Sequence, residues 1–102
     1  MQKITLYVGL NDKDTKIQKV NTMEATKIVK NLICNICGGG TIYNAVGVYT
    51  HEDGTIITEN TLQIELFDTP AAALADLIKS LKQVLNQESI IKETATVNSV
   101  FC

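Results

Sequence analysis

The sequence contains no arginine and no tryptophan, and all nine of its basic residues are lysines. Without a guanidinium group, the chain cannot make the forked contacts by which arginine binds phosphate, carboxylate or guanine. Its 11 acidic residues outnumber the lysines and leave a formal net charge of −2. Because duplex nucleic acid attracts a strongly basic surface, we expect no duplex nucleic-acid partner.

Long hydrophobic runs are also missing. The longest unbroken apolar stretch runs from Ala71 to Ala75, whereas a transmembrane helix needs about 20 residues. The first residues show no basic segment followed by a long apolar stretch, so they do not resemble a signal peptide. Three cysteines are an odd number, which fits a disulfide framework poorly. These absences predict a cytoplasmic protein with reduced thiols and no membrane partner.

The bias toward lysine extends to the rest of the composition. Ile, Asn and Thr are frequent beside it, and that combination is typical of AT-rich genomes. It indicates a low-GC bacterium or one of its phages, in which case the protein would act in the cytoplasm of the bacterial host.

The 102 residues are enough for one domain with its own core. Strict alternation from Ile4 to Leu10 predicts a half-buried strand, and the polar residues 11–21 predict a long loop. A helix should follow, because apolar residues recur at helical spacing from Ala25 to Ile36. Asn21 and Glu24 form a capping-box-like start for it, and the glycines 38–40 end it.

The second half of the chain continues the pattern. Residues 41–50 and 55–67 have strand composition and flank the hairpin signal Asp53-Gly54. Thr69 is predicted to cap a second helix with Pro70 at its first position, and residues 90–101 return to strand character. The order β-α-β-β-α-β predicts a ferredoxin-like α+β sandwich, a four-stranded antiparallel sheet with both helices on one face.

The register of the predicted hairpin decides which side chains the helix-free face of the sheet carries. A two-residue Asp53-Gly54 turn pairs Val48 with Glu59 and Val46 with Thr61, which turns Val46 and Val48 outward. A bulge would flip one strand and turn two tyrosines outward instead. These are Tyr43 and Tyr49. The sequence leaves both registers open.

A sheet face with aliphatic residues and a tyrosine is too apolar to stay in contact with water. It therefore predicts a homo-oligomer, a dimer or larger, that buries this open face. A small-molecule site on the same face is compatible with that arrangement, since ligand sites often form where subunits meet. The predicted ligand-binding residues are Tyr7, Asn11, Tyr49, His51, Glu59, Thr61 and Gln63.

Motifs for catalysis or metal binding are weak. Cys34 and Cys37 have C-x-x-C spacing, but they lie at the end of a helix, where the dipole disfavours a thiolate. Zinc would need His51 and Cys102 as further ligands, and their spacing is not that of a zinc site. His51 is the only histidine, and no Ser-His-Asp or Cys-His arrangement can be argued from it. We expect no catalytic residues, no metal and no cofactor.

Four short motifs resemble one family of unknown activity. They are Tyr7-Val8-Gly9-Leu10, Gly47-Val48-Tyr49, the run from Asp53 to Glu59, and Gln87-Glu88-Ser89-Ile90. This set is similar to the family known as domain of unknown function 3574. The resemblance implies the ferredoxin-like fold and supplies no catalytic residues.

Three functions remain open at this point. The leading hypothesis is a small non-enzymatic oligomeric binding protein, which in a phage would sequester a nucleotide-like signal molecule. The second is a cofactor-independent enzyme resembling dimeric α+β-barrel monooxygenases or isomerases, with Tyr7, Tyr49, His51 or Glu59 moving a proton. The third is a protein-interaction module that uses an edge strand or the open face.

Overall fold

Four strands and two helices follow one another in the predicted order. The structure, a computed structural model, describes all 102 residues. Its elements are β1 (Gln2–Gly9), α1 (Thr22–Cys37), β2 (Thr41–Thr50), β3 (Ile56–Phe67), α2 (Ala71–Val84) and β4 (Ile91–Thr96). All neighbouring strands are antiparallel, in the order β2-β3-β1-β4. The ferredoxin-like prediction is confirmed. The last strand is shorter than predicted, since it ends at Thr96.

Both helices cover the same face of the sheet. The core consists of 14 buried apolar residues from β1, β3, the two helices and their flanks. The alternating residues of β1 from Ile4 to Leu10 point into it, and so do Leu62, Ile64 and Leu66 of β3. The opposite face carries no helix. Neither helix is long and apolar enough to cross a membrane.

Local capping explains where the first helix begins and ends. The Asn21 side chain accepts a hydrogen bond of 2.8 Å from the backbone N–H of Glu24, and Gly38 ends the helix with a left-handed φ of 85°. Both predictions are confirmed. The predicted start of α2 is wrong by one residue. Pro70, whose ψ of 145° is extended, is the N-cap, and no side chain, Thr69 included, caps the helix.

The hairpin loop has three residues rather than two. The His51 N–H donates to the Thr55 carbonyl at 2.8 Å, and the Gly54 N–H donates back to the His51 carbonyl at 2.9 Å. Gly54 takes the left-handed conformation, with φ 88°, as three-residue hairpin loops commonly require. The strands therefore pair one residue away from the predicted register. Val48 lies opposite Thr58, not Glu59.

This shift decides which face of β2 carries its tyrosines. A one-residue slip moves every side chain of a strand to the other face, so the predicted outward placement of Val46 and Val48 is wrong. Tyr43 lies opposite Gln63 and Ala45 opposite Thr61, with Tyr49 on the same side. The alternative register, with the tyrosines on the helix-free face, is the one that the structure has.

The hairpin reaches beyond the rest of the sheet. β1 pairs with β3 only from Thr61 onward, so residues 46–60, the hairpin arm, extend past it. The chain measures 47 × 25 × 22 Å and exposes 6502 Å², against about 5,650 Å² for a compact monomer of this mass. Val46, Val48 and Ile56 on one side of the arm are each more than 60% exposed.

Candidate functional site

One cavity occupies the helix-free face where β1 ends. Its volume is about 600 Å³, and it lies between the hairpin arm, the loop after β1 and the segment that precedes β4. The structure brings all seven predicted residues to it. They are Tyr7, Asn11, Tyr49, His51, Glu59, Thr61 and Gln63. The cavity falls within the range of about 300–1,000 Å³ that small-molecule sites occupy.

The helix-free face around the cavity floor consists of rows of residues that lie opposite one another on neighbouring strands. In one row Gln63 of β3 lies between Tyr43 and Tyr7, and Ile91 of β4 follows Tyr7. In the next row Thr61 lies between Ala45 and Gly9. The first row thus has large side chains and the second has small ones, ending at Gly9, which has none. The sheet face is therefore concave near the end of β1.

Glu59 is the central polar group of the floor. Its Oε2 accepts a hydrogen bond of 2.8 Å from the backbone N–H of Asn11, and its other oxygen has no hydrogen-bond partner in the chain. The carboxylate lies across β1 because Gly9 has no side chain. A Cβ at Gly9 would stand 2.5 Å from the carboxyl carbon and from both oxygens of Glu59.

Gly47 has a similar relation to Thr61. A Cβ at Gly47 would lie 3.0 Å from the Thr61 hydroxyl oxygen, which is closer than most real Cβ contacts. That hydroxyl donates to the Glu59 carbonyl at 3.2 Å. The two glycines thus leave room for Glu59 and Thr61, two of the polar side chains of β3 that face the cavity.

Aromatic groups stand at the side of the cavity. The rings of Tyr49 and His51 are 6.1 Å apart and tilted by 53°, a spacing at which aromatic pairs attract each other. The Tyr7 hydroxyl is 3.4 Å from Glu93, so its ring lies along the floor toward β4. Tyr43 is hydrogen-bonded to Glu65 at 3.4 Å and does not line the cavity.

The loop after β1, residues 10–21, is held together by one carboxylate. Asp12 is buried, and its Oδ1 accepts hydrogen bonds of 2.9 Å from the backbone N–H groups of Asp14 and Thr15. Its Oδ2 accepts from the Asn86 side chain at 2.8 Å and lies 3.7 Å from the Lys19 ammonium. The Asn86 bond above all, then the Thr15 bond, holds the pKa of Asp12 well below its ordinary range.

The end of α2 clamps this loop against the sheet. The Gln87 side-chain nitrogen donates to the Asn11 carbonyl at 2.7 Å and to the Leu85 carbonyl at 3.2 Å. The Lys13 N–H donates to the Asn86 carbonyl at 3.1 Å. Lys13 and Lys16 thereby reach the rim of the cavity with exposed side chains. They place positive charge above a floor that contains the Glu59 carboxylate.

The pKa of Asp12 makes stability depend on pH in a defined direction. The pKa is lower in the folded chain than the value of about 3.9 in an unfolded one, so the stabilisation is full above that value. This stabilisation is lost as the pH falls from the unfolded pKa toward the folded pKa.

We expect the free energy of unfolding, measured by urea titration at pH 7, 5 and 3, to fall less in Asp12→Asn than in the unmodified protein. Asp76→Asn, an exposed change on α2, is the control. Equal acid sensitivity in all three proteins would contradict this role of Asp12.

The cysteines lie away from the cavity. Cys34 and Cys102 are exposed, and Cys37 is half-buried at the end of α1. Burial, with a smaller contribution from Asp76, raises the pKa of the Cys37 thiol. No three His, Cys, Asp or Glu side chains in the chain are grouped so that they could hold a metal ion.

Most of the residues that line the cavity were not among the predicted ones, and three of these, Gly9, Gln87 and Asp12, shape the site. Gly9 and Gln87 act through contacts between distant parts of the chain, and Asp12 acts by ordering its own loop. The sequence did contain one indication of these residues, namely the four motifs. All four motifs that resemble domain of unknown function 3574 contribute residues to the cavity lining, among them Gly9, Gly47, Glu59 and Gln87.

Solved structures give two kinds of likeness. A phage SAM lyase in complex with S-methyl-5′-thioadenosine is 26% identical, with a TM-score of 0.66, over 92% of this chain and 79% of that one. The divalent cation tolerance protein CutA1 from Thermus thermophilus is 10% identical, with a TM-score of 0.64, over 99% and 88%. CutA1 from Oryza sativa is 21% identical, with a TM-score of 0.57, over 97% and 84%. The two CutA1 proteins share the fold. No family model and no curated protein sequence matches the chain.

Proposed function

We propose that this chain binds a small adenosine-type ligand in the cavity of the helix-free face and does so as a homo-oligomer. The observation that carries the proposal is the meeting of all seven predicted residues around one cavity of about 600 Å³. The likeness to a phage lyase that holds S-methyl-5′-thioadenosine supports the adenosine class. In its narrower form the protein is phage-encoded, acts in the cytoplasm of a bacterial host and sequesters a nucleotide-like molecule without converting it.

The lining of the cavity suits the parts of such a ligand. A purine ring is flat and apolar on its faces, which matches the rings of Tyr7 and Tyr49. Its edges and the ribose hydroxyls need hydrogen-bond partners, which the Gln63 amide and the Thr61 hydroxyl offer. Glu59 can accept from a cationic or hydroxyl group with its free oxygen. Lys13 and Lys16 can attract an anionic group at the rim.

A homo-oligomer is supported by the surface that a single chain leaves exposed. The exposed area exceeds that of a compact monomer by about 850 Å². Large apolar side chains account for part of it, on the arm and on the helix-free face. Tyr43, Phe67 and Ile91 of that face are 45%, 39% and 67% exposed. Burial of these side chains would favour association of two copies, and a second copy would close the open side of the cavity.

Calorimetric titration tests the binding. S-methyl-5′-thioadenosine, S-adenosylmethionine, adenosine and AMP are each titrated into the purified protein. We expect saturable binding of at least the first two and weaker binding in Thr61→Val, which keeps the shape of the side chain and removes the hydroxyl. Asn98→Asp, in the exposed C-terminal segment, is the control for purification and handling. No saturable heat with any of the four compounds would refute the adenosine-type ligand.

Cleavage of S-adenosylmethionine is a second candidate function, and the 26% identity with a SAM lyase favours it. Release of S-methyl-5′-thioadenosine requires breaking the bond between sulfur and Cγ of the amino-acid part. The substrate's own carboxylate can attack Cγ. A C–O bond forms, the C–S electron pair leaves with the sulfur as a neutral thioether, and a lactone results without water or proton transfer. Such a step needs a site that folds the substrate and excludes water, not a general acid or base.

Mass spectrometry separates sequestration from cleavage. The protein is incubated with S-adenosylmethionine at a tenfold molar excess of substrate, and the supernatant is analysed after the protein is precipitated with cold acid, which keeps the substrate carboxylate protonated and prevents its attack without the protein. Sequestration predicts that the compound is recovered intact from the protein. Cleavage predicts S-methyl-5′-thioadenosine in amounts that exceed the protein, with less product in Glu59→Gln because a neutral amide attracts the cationic substrate less strongly.

A further inference from the structure

A path of two hydrogen bonds links the end of α2 to the carboxylate on the cavity floor. The Gln87 side-chain nitrogen donates to the Asn11 carbonyl at 2.7 Å. The N–H of the same residue, Asn11, donates to Glu59 Oε2 at 2.8 Å. These contacts join residues that are 76 and 48 positions apart in the sequence. One residue of the loop therefore stands between Gln87 on one side and Glu59 on the other.

Gln87 is itself held firmly in place. The residue is 9% exposed, and its side-chain nitrogen also donates to the Leu85 carbonyl at 3.2 Å. Its backbone N–H donates to the Lys82 carbonyl at 2.9 Å. Both targets of the side chain are carbonyl oxygens, so the position requires a donor. A residue of the same length that cannot donate would leave the Asn11 carbonyl without its partner.

We propose that Gln87 is the positioning residue for Glu59 in ligand binding, acting through the backbone of Asn11. The Asn11 carbonyl and the Asn11 N–H lie in the two peptide planes that meet at the Asn11 Cα, so by holding the carbonyl Gln87 restrains the residue whose N–H contacts Glu59. That N–H holds Oε2 of Glu59 and so leaves Oε1 free to face the cavity. The donor to Glu59 is a backbone group, and the side chain that sets its position is Gln87. This inference rests on the proposed binding function, since it concerns the same site.

The first test needs no ligand. Gln87→Met keeps the length of the side chain and removes the donor, and Gln83→Met is the matched control on the exposed side of α2. In ¹H–¹⁵N spectra of the free proteins, we expect the Asn11 amide proton to move upfield in Gln87→Met, because its hydrogen bond to a carboxylate lengthens. The core amides of Leu62 and Ile64 should keep their positions. An Asn11 amide that does not move would overturn the proposal.

The second test measures whether Gln87 acts through Glu59. Titration with S-adenosylmethionine is expected to give a Kd about tenfold weaker in Gln87→Met than in the unmodified protein, as for loss of one well-placed contact to a charged group. In a Glu59→Ala background the same change should weaken binding by no more than about twofold. An equal loss in both backgrounds, or none in either, would overturn the positioning role. If the unmodified protein binds no S-adenosylmethionine, the proposed function fails, and the spectra still decide whether Gln87 positions Asn11.

Discussion

Replacing Gly9 with alanine is expected to weaken ligand binding by roughly ten- to a hundredfold while the protein stays folded. An alanine Cβ would lie 2.5 Å from the carboxyl carbon and both oxygens of Glu59, so the carboxylate has to leave its place over β1. The end of a glutamate side chain is flexible and can swing into the open cavity. What is lost is its hydrogen bond with the Asn11 N–H, and a contact to a charged group is worth about 1.5–3 kcal/mol.

The backbone conformation at Gly9 is compatible with alanine. Gly9 lies within a strand and does not have a left-handed φ, so the substitution brings no conformational strain. Gly39→Ala is the matched control, because a Cβ there meets nothing within 4 Å. Titration with S-adenosylmethionine and thermal unfolding followed by circular dichroism are compared for the three proteins. Unchanged affinity in Gly9→Ala would show that the position of the Glu59 carboxylate does not matter for binding.

The fold could be predicted because its determinants are local. Alternation in β1, the Asn21 cap and the Gly38 stop each involve residues a few positions apart, and each has one structural meaning. The hairpin register, in contrast, was left open by the sequence. Asp53-Gly54 permits a two-residue or a three-residue loop, and the choice depends on whether Gly54 alone takes the left-handed conformation. One residue of loop length then decided the face of the whole of β2.

The site was predicted in part for the same reason. Alternation along β3 was enough to place Glu59, Thr61 and Gln63 on the helix-free face, whereas the position of Tyr49 depended on the register. Gly9 and Gln87 were missed because their roles consist of contacts with residues far along the chain. Neither a glycine in a strand nor a glutamine after a helix has a side-chain pattern that indicates such a role.

The four motifs that resemble domain of unknown function 3574 come together in the structure. Gly9, Glu59 and Gln87 come from three separate motifs and meet in one hydrogen-bonded cluster around Asn11. Gly47, from the fourth motif, makes room for Thr61 beside them. Residues that serve a shared binding site would recur in this way in a family. Membership in domain of unknown function 3574 stays a prediction, and the cluster identifies the positions at which a true relative should match.

Placing lysine at both Val48 and Ile56 is expected to convert the proposed homo-oligomer to monomers. These side chains lie on the same side of the hairpin arm and are 65% and 69% exposed in the single chain. Full burial of such a side chain stabilises an interface by about 1.5–3 kcal/mol, and a buried unpaired ammonium is strongly unfavourable. Two such changes in every subunit should therefore raise the dissociation constant by more than a hundredfold.

Size-exclusion chromatography with light scattering, over a range of protein concentrations, measures the mass of each variant. Met23→Lys is the control, because Met23 is 73% exposed at the start of α1, away from the arm. We expect the control to keep the mass of the unmodified protein. A double variant that also keeps it would place the interface elsewhere on the surface, and an unmodified protein that is monomeric throughout would refute the oligomer. Because a second copy would close the open side of the cavity, loss of the assembly should also weaken S-adenosylmethionine binding, and Val48 lines the cavity itself, so its replacement acts by direct contact as well. Dilution of the unmodified protein below its dissociation constant should then weaken binding to a similar degree, and this comparison separates assembly from direct contact with the ligand.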